Sequence, residues 1–415
     1  MTDANTVNFL HLIGLGGSNK VMAGELSRLA RRAFTQDRSK ELLGKAPWKS
    51  GPGGLLYPFA HDLAALAVSY HRTSARVLWD LYQSSATRLE PLFDDLVESI
   101  AQDSRDWMTE GLNFSVLPFG VRSVEAGERQ VVGVVKNALI EGASRRGIRL
   151  HLNTEKPDFC FHVRGSESRE GQPQITVSLD LAGRPMHKRG YRYQSGEAPL
   201  REDLAANLVM LARFDPRADV LIDPMAGAGT LVVEGALMAA GKGIWMSGRS
   251  PDALKLESMA PHFEHLGKAL FGDSLPSIYA AENDPGTYAA LDRSLATAGT
   301  SPQTTTFMGD FQKWDLARQL KGQERGLILC NPPYGARLGQ NVQELRSLYR
   351  DLGRWCRDFR GFRAAFIVGE PESDRELREG PSIVRLFQDC FGGEARVKKP
   401  LHNGQLRAQF LLYDL

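Results

Sequence analysis

Apolar positions in the second half of the chain fall into short runs separated by longer segments with helical spacing. The short apolar or β-branched runs predict buried strands at 220–223, 278–282, 304–308, 327–330 and 364–368. Between them, apolar residues recur three and four positions apart, as in the predicted helices 231–240 and 345–359. This alternation of strands and helices predicts an α/β fold with a parallel, doubly wound sheet.

The last two predicted strands form a hairpin. Runs 396–398 and 409–412 flank Asn403-Gly404, and Asn-Gly is a favoured dipeptide of tight hairpin turns. We therefore expect an antiparallel hairpin to close the parallel sheet.

The first half of the chain has a mixed pattern. We predict helices at 21–34, 63–81 and 131–144 and strands at 114–118 and 175–181. A Gly-Pro-Gly-Gly stretch before residue 57 and the onset of regular strand–helix alternation near residue 184 mark breaks in the pattern. These breaks divide the chain into modules 1–57, 58–183 and 184–415.

The segment Asn331-Pro332-Pro333-Tyr334 directly follows the apolar run 327–330. The two prolines lack N–H donors and fix φ near −65°, so the chain leaves its strand in a rigid turn. The Asn331 amide and the Pro332 carbonyl can then accept both hydrogens of a planar exocyclic amine, while the Tyr334 ring stacks on the base. A plain strand-ending turn is the alternative for the tetrapeptide alone. As a binding site, the Asn331–Tyr334 segment suits methylation of a nucleobase amino group.

A glycine-rich loop separates the predicted strand 220–223 from the predicted helix 231–240. Glycines let the backbone approach a ligand closely, and the helix start offers free N–H groups and positive dipole charge. The loop lacks the Lys-Ser/Thr of a P-loop and the three-glycine dinucleotide spacing, so the zwitterionic tail of S-adenosylmethionine (SAM) fits better than a phosphate. A plain turn is again the alternative. The candidate cofactor residues are Asp223, Pro224, Ala226, Gly227, Gly229 and Thr230.

Acidic residues end the next two predicted strands. Glu282 can accept hydrogen bonds from both ribose hydroxyls, as acids do in other doubly wound nucleotide-binding folds. Asp310, after the run 304–308, can accept from an adenine amino group while Phe311 packs on the ring. Ligands bind at the carboxyl edge of open α/β sheets, where all these signals fall. Their coincidence predicts a SAM-dependent amino methyltransferase, with Asn331 at the cofactor as well as at the target base.

Three motifs together carry a resemblance to a known family. They are the loop 223–230, the stretch 331–338 and the block His187-Lys-Arg-Gly-Tyr-Arg192. They resemble motifs of the THUMP-domain guanine-N2 RNA methyltransferases, most closely the large-subunit ribosomal RNA methyltransferase L (RlmL-like) group. Similar blocks at 178–183, 196–202 and 401–404 extend the resemblance over nearly the whole chain.

This resemblance implies a class I (Rossmann-like) methyltransferase domain at 184–415, preceded by an N-terminal ferredoxin-like module at 1–57 and a THUMP RNA-binding domain at 58–183. It also implies SAM as methyl donor and the N2 of a guanine as acceptor, in 23S ribosomal RNA or alternatively in transfer RNA. Some members of the family have a second methyltransferase domain, for which 415 residues leave no room. Of the two methyltransferase domains, only the one that acts on guanine N2 is expected here.

The chain departs from the family at several positions. Ala226 and Ala228 stand where the family usually has Cys and Ser, and Glu282 stands where it has Asp. A glycine loop binds largely through its backbone and Glu can still reach a ribose, so the cofactor expectation is unchanged. In the expected THUMP helix, Asn137 stands where the family has Asp, which concerns the RNA contact rather than catalysis.

Basic residues in two parts of the chain are candidate RNA contacts. A formal net charge of +2 excludes binding of RNA by bulk electrostatics, so local patches are required. Cations interleaved with Tyr191 and Tyr193 can grip phosphates while the rings stack on bases. A solvated surface is the alternative for any charge cluster. The candidates are Lys136, Arg145, Arg146, Lys156, Lys188, Arg189 and Arg192.

Composition limits the other possibilities. The four cysteines, Cys160, Cys330, Cys356 and Cys390, stand far apart without metal-ligand spacing, so we expect no metal. Neither a membrane span nor a signal pattern is present, so a cytoplasmic protein is expected, and we take it to be a monomer. The rival interpretations are a DNA-adenine or protein-glutamine methyltransferase, which shares the NPPY motif, and a non-catalytic RNA-binding assembly factor.

Overall fold

The structure is a computed structural model that describes residues 6–44, 47–51, 53–121, 126–167, 172–192, 200–246, 248–266, 276–334, 342–370, 382–403 and 406–415. The predicted motif positions 196–199, 335–338 and 404, together with Tyr193, lie outside the described residues. The chain forms two units. The N-terminal unit comprises Met1–Gly14, Met22–Met186 and Ser250–Leu270, and the C-terminal unit comprises Leu15–Val21, His187–Arg249 and Phe271–Leu415.

In the described part of the N-terminal unit, eight strands form one sheet in the order β2-β3-β1-β4-β8-β7-β5-β6. Neighbouring strands are antiparallel except β5, which runs parallel to both β6 and β7. The strands are β1 Thr6–Gly14, β2 Trp48–Gly51, β3 Gly54–Pro58, β4 Ser74–Ser84, β5 Asn113–Phe119, β6 His151–Leu152, β7 Phe159–Glu167 and β8 Pro173–Asp180. The helices are α1 Asn19–Ala33, α2 Gln36–Leu43, α3 His61–Tyr70, α4 Leu89–Ala101 and α5 Glu128–Arg145.

The predicted elements of this half are mostly confirmed, by α1, β5, α5 and β8. The prediction of one helix over 63–81 was wrong, because α3 ends at Tyr70 and β4 begins at Ser74. Between them, the Glu25 carboxylate accepts the N–H groups of Arg72 and Thr73 at 2.8 and 3.0 Å. The module boundaries at 57 and 183 stay predictions, and the sheet contains strands from both sides of residue 57.

The described part of the C-terminal unit contains a seven-stranded sheet in the order β11-β10-β9-β12-β13-β15-β14. Its strands are β9 Val220–Asp223, β10 Ile278–Glu282, β11 Thr304–Met308, β12 Gly326–Cys330, β13 Arg363–Glu370, β14 Val397–Asn403 and β15 Leu406–Asp414. Its helices are α6 Glu202–Leu211, α7 Thr230–Ala239, α9 Pro285–Ala298, α10 Leu316–Gln319, α11 Val342–Cys356 and α12 Ile383–Phe391. Helix α8, Ala260–Leu266, belongs to the N-terminal unit.

Strands β11, β10, β9, β12 and β13 are parallel, and the β14–β15 hairpin adds antiparallel to β13. The predicted doubly wound parallel sheet with a closing hairpin, the class I methyltransferase arrangement, is therefore confirmed. Both faces are buried. Successive residues such as Leu221 and Ile222 belong to two different apolar clusters, one on each face. None of the helices in the described ranges combines the length and apolarity needed to cross a bilayer.

Candidate active site

The carboxyl ends of four parallel strands meet at one edge of the C-terminal sheet. In the register, Ala280 pairs with Asp223, and Glu282, two residues on, pairs with Met308. On the other side of β9, Ile328 of β12 pairs with Ile222. The loop after β9, Glu282, the residues after β11 and the NPPY segment after β12 therefore all lie along this edge.

The glycine loop between β9 and α7 is fixed by its backbone conformation. Gly229 has φ +83° and is the N-cap of α7, and a Cβ there would come 2.5 Å from Leu291 Cδ1. Gly227 has φ +55°, and a Cβ there would meet no atom within 4 Å. Only glycine adopts both conformations readily. The loop is thus packed on one side and open at Gly227, where a ligand can approach the main chain.

Asp223 lies under the loop rather than in its opening. The residue is 1% exposed, and its Oδ1 accepts the Met225 N–H at 3.1 Å. Burial raises the pKa of Asp223 to about 7, although the Met225 N–H and the Cys330 thiol favour the carboxylate. Pro224 is buried as well. Both residues of the predicted cofactor set therefore shape the loop and leave almost no surface for a ligand.

Glu282 ties this loop to the next strand. Its Oε2 accepts the Gly227 N–H at 2.9 Å, and its Oε1 accepts the N–H groups of Asn283 and Asp284 at 2.9 Å each. The Ala226 N–H also bonds the Ala281 carbonyl oxygen at 2.8 Å. Each carboxylate oxygen has about two lone-pair sites, and three of the four are used, so Glu282 keeps one site, on Oε2, for a ribose hydroxyl.

Asp310 follows β11 and is partly exposed. Its side chain caps a short 3₁₀ helix, Phe311–Lys313, by accepting the Gln312 N–H at 3.0 Å. Phe311 is 4% exposed and packs edge-to-face on Trp355 at 5.6 Å between ring centroids. So little free ring surface does not support the predicted packing of adenine on Phe311, because the ring belongs to the core.

Met308, the last residue of β11, was missed by the sequence analysis. It is 56% exposed at the same edge, beside Glu282. An exposed thioether side chain offers a flexible apolar surface for a planar ring. Its signal in the sequence was an apolar residue directly before Gly309-Asp310.

The NPPY segment leaves β12 at this edge as predicted. The Pro333 carbonyl oxygen accepts the Tyr349 hydroxyl at 2.8 Å, which fixes the turn to α11. Asn331 Oδ1 is buried and has no hydrogen-bond partner among the described residues. Tyr334 is 8% exposed and belongs to an apolar cluster, so in this conformation its ring offers little face for the predicted stacking on a base.

The structure corrects the prediction that Arg189 of the HKRGYR block contacts RNA. Arg189 and Glu234 of α7 are both fully buried, and Arg189 Nε donates to Glu234 Oε1 at 2.7 Å. The Tyr191 hydroxyl donates to the same oxygen at 3.1 Å. Arg189 therefore cannot reach RNA, because the block braces α7 from inside the C-terminal unit. Lys188 is exposed, as an RNA contact requires.

Arg192 is partly buried at the start of α7. Its Nη2 donates to the Leu200 carbonyl oxygen and, at 3.3 Å, to Thr230 Oγ1. Glu202 Oε2 lies 3.7 Å away. Burial raises the pKa of Glu202, and Arg192 opposes that rise. This position beside the cofactor loop was not anticipated when Arg192 was predicted to contact RNA.

The predicted RNA-binding cations of the N-terminal unit do not all share one surface. Arg145 and Arg146 are exposed at the end of α5, and Lys156 is exposed after β6. Lys136 lies nine residues before Arg145, which puts the two on opposite sides of α5 at 3.6 residues per turn. Nearby in the chain, three apolar side chains are unusually exposed: Leu117, Phe119 and Leu152.

The residues at the sheet edge fit SAM. Gly227 leaves open space against the backbone, Glu282 retains acceptor capacity, and Gly229 provides no side chain to cap the first turn of α7. The open main chain at Gly227 and the start of α7 suit the amino-acid part of the cofactor, and Glu282 suits a ribose hydroxyl. Within the described ranges, no group of three or more His, Cys, Asp or Glu is arranged to hold a metal ion.

Comparisons with known proteins agree with this geometry. Residues 189–378 match the model of the UPF0020 family, described as RMKL-like, methyltransferase domain. The ribosomal RNA large subunit methyltransferase K/L of Cellvibrio japonicus is 29% identical over 71% of this chain and 38% of its own length. That of Syntrophotalea carbinolica is 31% identical over 68% of this chain and 38% of its own length. The chain thus spans well under two thirds of these relatives.

Solved structures cover the chain almost completely. A predicted N6-adenine-specific DNA methylase from Listeria monocytogenes has a TM-score of 0.75 and 21% identity, over 98% of this chain and 96% of its own. SMU.472 complexed with S-adenosylhomocysteine (SAH) also has a TM-score of 0.75, with 19% identity over 99% and 98%. TrmN from Thermus thermophilus has a TM-score of 0.66 and 18% identity over 99% and 100%. At these identities the likeness concerns the fold.

Proposed function

We propose that the chain methylates the exocyclic N2 of a guanine in RNA with SAM as donor, because residues 189–378 match the family described as RMKL-like, methyltransferase domain. Large-subunit ribosomal RNA is the proposed substrate, because the relatives that match are ribosomal RNA large subunit methyltransferases K/L. The observation that carries the proposal is Asn331 Oδ1 at the carboxyl edge of the sheet, an acceptor for which the described residues provide no donor. A cytoplasmic location follows from such a substrate.

The chemistry of the amine explains why that acceptor matters. The lone pair of a guanine amino group is delocalised into the ring, which makes the nitrogen a poor nucleophile. Asn331 Oδ1 and the Pro332 carbonyl oxygen accept its two hydrogens and so favour a pyramidal nitrogen with a directed lone pair. SAM, when bound, supplies the electrophilic methyl group. Orientation of this kind contributes roughly 7–11 kcal/mol in well-aligned model reactions. The nitrogen becomes acidic as it gains the methyl group and SAH leaves, so its proton passes to water and no strong base is needed.

The turn that presents these acceptors is held from behind. Pro333 directs its carbonyl oxygen to the Tyr349 hydroxyl, so this oxygen does not compete for the amine. Cys330, directly before Asn331, is fully buried and anchors the turn in the sheet. A fixed turn lets Asn331 select an amine with two hydrogens over a ring carbonyl, since both proposed acceptors repel another acceptor.

The N-terminal unit is the proposed RNA-binding part. Its exposed cations Arg145, Arg146 and Lys156 accompany exposed apolar side chains, of which Phe119 is 47% exposed. Cations that hold phosphates and rings that stack on unpaired bases are the usual combination for single-stranded RNA. The target guanine must leave its stack, which costs a few kcal/mol, and RNA contacts of this unit offset that cost.

Methyl transfer from labelled SAM to unmodified large-subunit ribosomal RNA, with identification of the product nucleoside, tests the proposal. We expect N2-methylguanosine. Asn331→Ala should lower kcat by about 100-fold or more while the Kd for SAH changes little, since losing one transition-state hydrogen bond of this type costs about 2.7–4 kcal/mol. Asn283→Ala is the control, because its side chain is exposed and its hydrogen bond to Glu282 uses the main-chain N–H, which the substitution keeps.

The outcomes separate the alternatives. N2-methylguanosine in transfer RNA alone would support the same chemistry on a different RNA substrate. N6-methyladenine in DNA would favour the activity named for the Listeria protein. RNA binding without methylation of any substrate, together with unchanged RNA binding by Asn331→Ala, would favour a non-catalytic assembly factor.

A further inference from the structure

A cleft lies between α1 and α2 of the N-terminal unit. Its cavity volume is about 660 Å³, within the roughly 300–1,000 Å³ that is typical of ligand sites. Ser27 and Arg31 line it from α1, four positions apart and therefore on one face of that helix. Gln36 and Lys40, again four positions apart, line it from α2. This α1–α2 cleft is large enough for one nucleotide.

The described lining of the cleft contains two cations and no acid. Arg31 and Lys40 are both exposed, so their charged groups are accessible to a ligand. Lys40 Nζ lies 3.7 Å from Asp37 Oδ1, but these side chains are 68% and 98% exposed, and an ion pair as exposed as this is weak. Leu43 and Pro47 add apolar surface to the lining. The cleft therefore suits a ligand that combines a negative charge with an apolar part.

The exposed face of α1 extends this positive charge beyond the cleft. Arg28 and Arg32 are also exposed and lie within about 100° of Arg31 around the helix axis. Among the described residues, no acid lies within ion-pair distance of these three arginines. Glu25, the acid of α1, is buried and accepts main-chain N–H groups after α3. Such a row of exposed cations favours an extended polyanion over a single small anion.

We propose that the α1–α2 cleft binds one nucleotide of the RNA substrate, with Arg31 and Lys40 on its phosphates. Arg28 and Arg32 then contact phosphates of the strand outside the cleft. A single strand combines regularly spaced phosphates with apolar base faces, which matches exposed cations beside a cavity with apolar lining. The inference rests on the proposed function, because it takes RNA as the substrate. It adds α1 and α2 to the RNA-binding surface, which the sequence analysis placed elsewhere.

Fluorescence anisotropy of the full chain with a labelled single-stranded RNA of mixed sequence, measured over a range of salt concentrations, tests the proposal. Each phosphate contact contributes about 0.7 to the slope of log K against log[salt], which at 0.1 M salt corresponds to about fivefold in affinity. Arg31→Gln combined with Lys40→Gln should therefore reduce the slope by about 1.4 and the affinity by about 25-fold. Arg31→Lys combined with Lys40→Arg keeps both charges, so most of the slope should remain.

Arg318→Gln combined with Lys321→Gln is the matched control. It also removes two exposed cations, but from the C-terminal unit, shortly before β12 begins and therefore near the amino edge of the sheet. Slope and affinity should stay at the wild-type values. Ser27→Trp narrows the cleft without changing any charge. It should lower the affinity by about fivefold or more, because the nucleotide then loses at least one of the two cations.

Four results would overturn the proposal. Equal losses in the cleft variant and the control would show that the cations act through net charge alone. A fall in affinity at an unchanged salt slope would make Arg31 and Lys40 structural residues, and unchanged or tighter binding by Ser27→Trp would place the RNA outside the cleft. Wild-type RNA binding by the Arg31 and Lys40 variant would overturn the inference alone if the wild type still forms N2-methylguanosine. A wild type that neither binds nor methylates RNA would overturn the proposed function as well.

Discussion

Glu234→Leu isolates the buried charge pair that braces α7. Arg189 and Glu234 have no solvent-exposed side-chain surface, and their closest atoms, Nε and Oε1, are 2.7 Å apart. The Tyr191 hydroxyl donates to the same oxygen at 3.1 Å. An arginine cannot lose its proton in a protein. The substitution therefore leaves a charged guanidinium and a hydroxyl in the core without this acceptor.

The change in the free energy of unfolding depends on whether one or both members of the pair are replaced. Removing one member of a buried pair costs about 3–5 kcal/mol. Replacing both, as in Arg189→Met with Glu234→Leu, removes the charges together and is neutral or stabilising by about 1–4 kcal/mol in comparable cases. The Tyr191 hydroxyl loses its acceptor in the double variant, which costs about 1–3 kcal/mol and offsets part of this stabilisation. The double variant should therefore lie within about 3 kcal/mol of the wild type and be more stable than Glu234→Leu alone.

Hydrogen exchange of the α7 amides is the suitable assay, because a chain of two units need not unfold in a single step. A loss of 3–5 kcal/mol speeds exchange of Thr230–Ala239 by about a hundredfold to several thousandfold in Glu234→Leu. Most of that protection should return in the double variant. Wild-type protection in Glu234→Leu, or a double variant as weak as the sum of the two single changes, would refute the argument. Retained RNA affinity in the double variant would support the removal of Arg189 from the RNA contacts.

Three further predictions concern the edge of the sheet. Gly229→Ala should weaken SAH binding and lower the melting temperature, because φ +83° and a Cβ 2.5 Å from Leu291 both oppose it. Tyr349→Phe should cost about 1 kcal/mol of stability and lower kcat, because the Pro333 carbonyl oxygen loses its donor; thermal unfolding and methyl transfer check both. Burial raises the pKa of Asp223 to about 7, so between about pH 4 and 7 the folded state binds a proton that the unfolded state has released, and stability falls as pH rises. Asp223→Asn should remove that slope when melting temperatures are compared at pH 5 and 7.

Each of these predictions has a contrary result. Gly227→Ala is the control for Gly229→Ala, since a Cβ at Gly227 meets no atom within 4 Å; an equal loss of stability in both would contradict the packing argument. A wild-type kcat in Tyr349→Phe would show that the turn is rigid without its hydroxyl partner. The same slope of stability with pH in Asp223→Asn as in the wild type would assign the slope to another group.

The carboxyl edge could be predicted because parallel strands obey a simple geometry. Once runs at 220–223, 278–282 and 327–330 are assigned to one parallel sheet, their ends must fall at one edge. The polar residues that follow them therefore come together whatever the helices do. The register confirms this for Glu282, which is hydrogen-bonded to the loop after β9 through the Gly227 N–H.

The end of α3 could not be predicted, because a distant residue determines it. Neither Gly nor Pro separates α3 from β4, and apolar residues continue through both elements. The break is stabilised by the Glu25 carboxylate, which accepts the N–H groups of Arg72 and Thr73 from 47 and 48 residues away. The spacing of apolar residues within 63–81 cannot show a contact with a distant residue, so the pattern alone predicts one continuous helix.

The burial of Arg189 had a signal that the sequence analysis did not use. Arg189 stands in a basic, tyrosine-containing block that is typical of an RNA surface. Its partner, Glu234, is the single acid in the otherwise apolar segment 230–240. A lone charge in a helix that is apolar on all sides must find an opposite charge in the core. The need of Glu234 for a buried cation therefore points to the basic residues of the block 187–192.

Exposure divides the predicted site residues into supports and contacts. Asp223, Phe311 and Tyr334 are 1%, 4% and 8% exposed, so changing any of them alters the shape of the whole edge. Gly227 offers only its main chain to a ligand, because nothing stands where a Cβ would be. Asn331 is the predicted residue whose acceptor is left without a donor in the described chain. Substitutions of the supports should therefore change cofactor affinity and rate together, whereas substitution of Asn331 should lower the rate far more than the cofactor affinity.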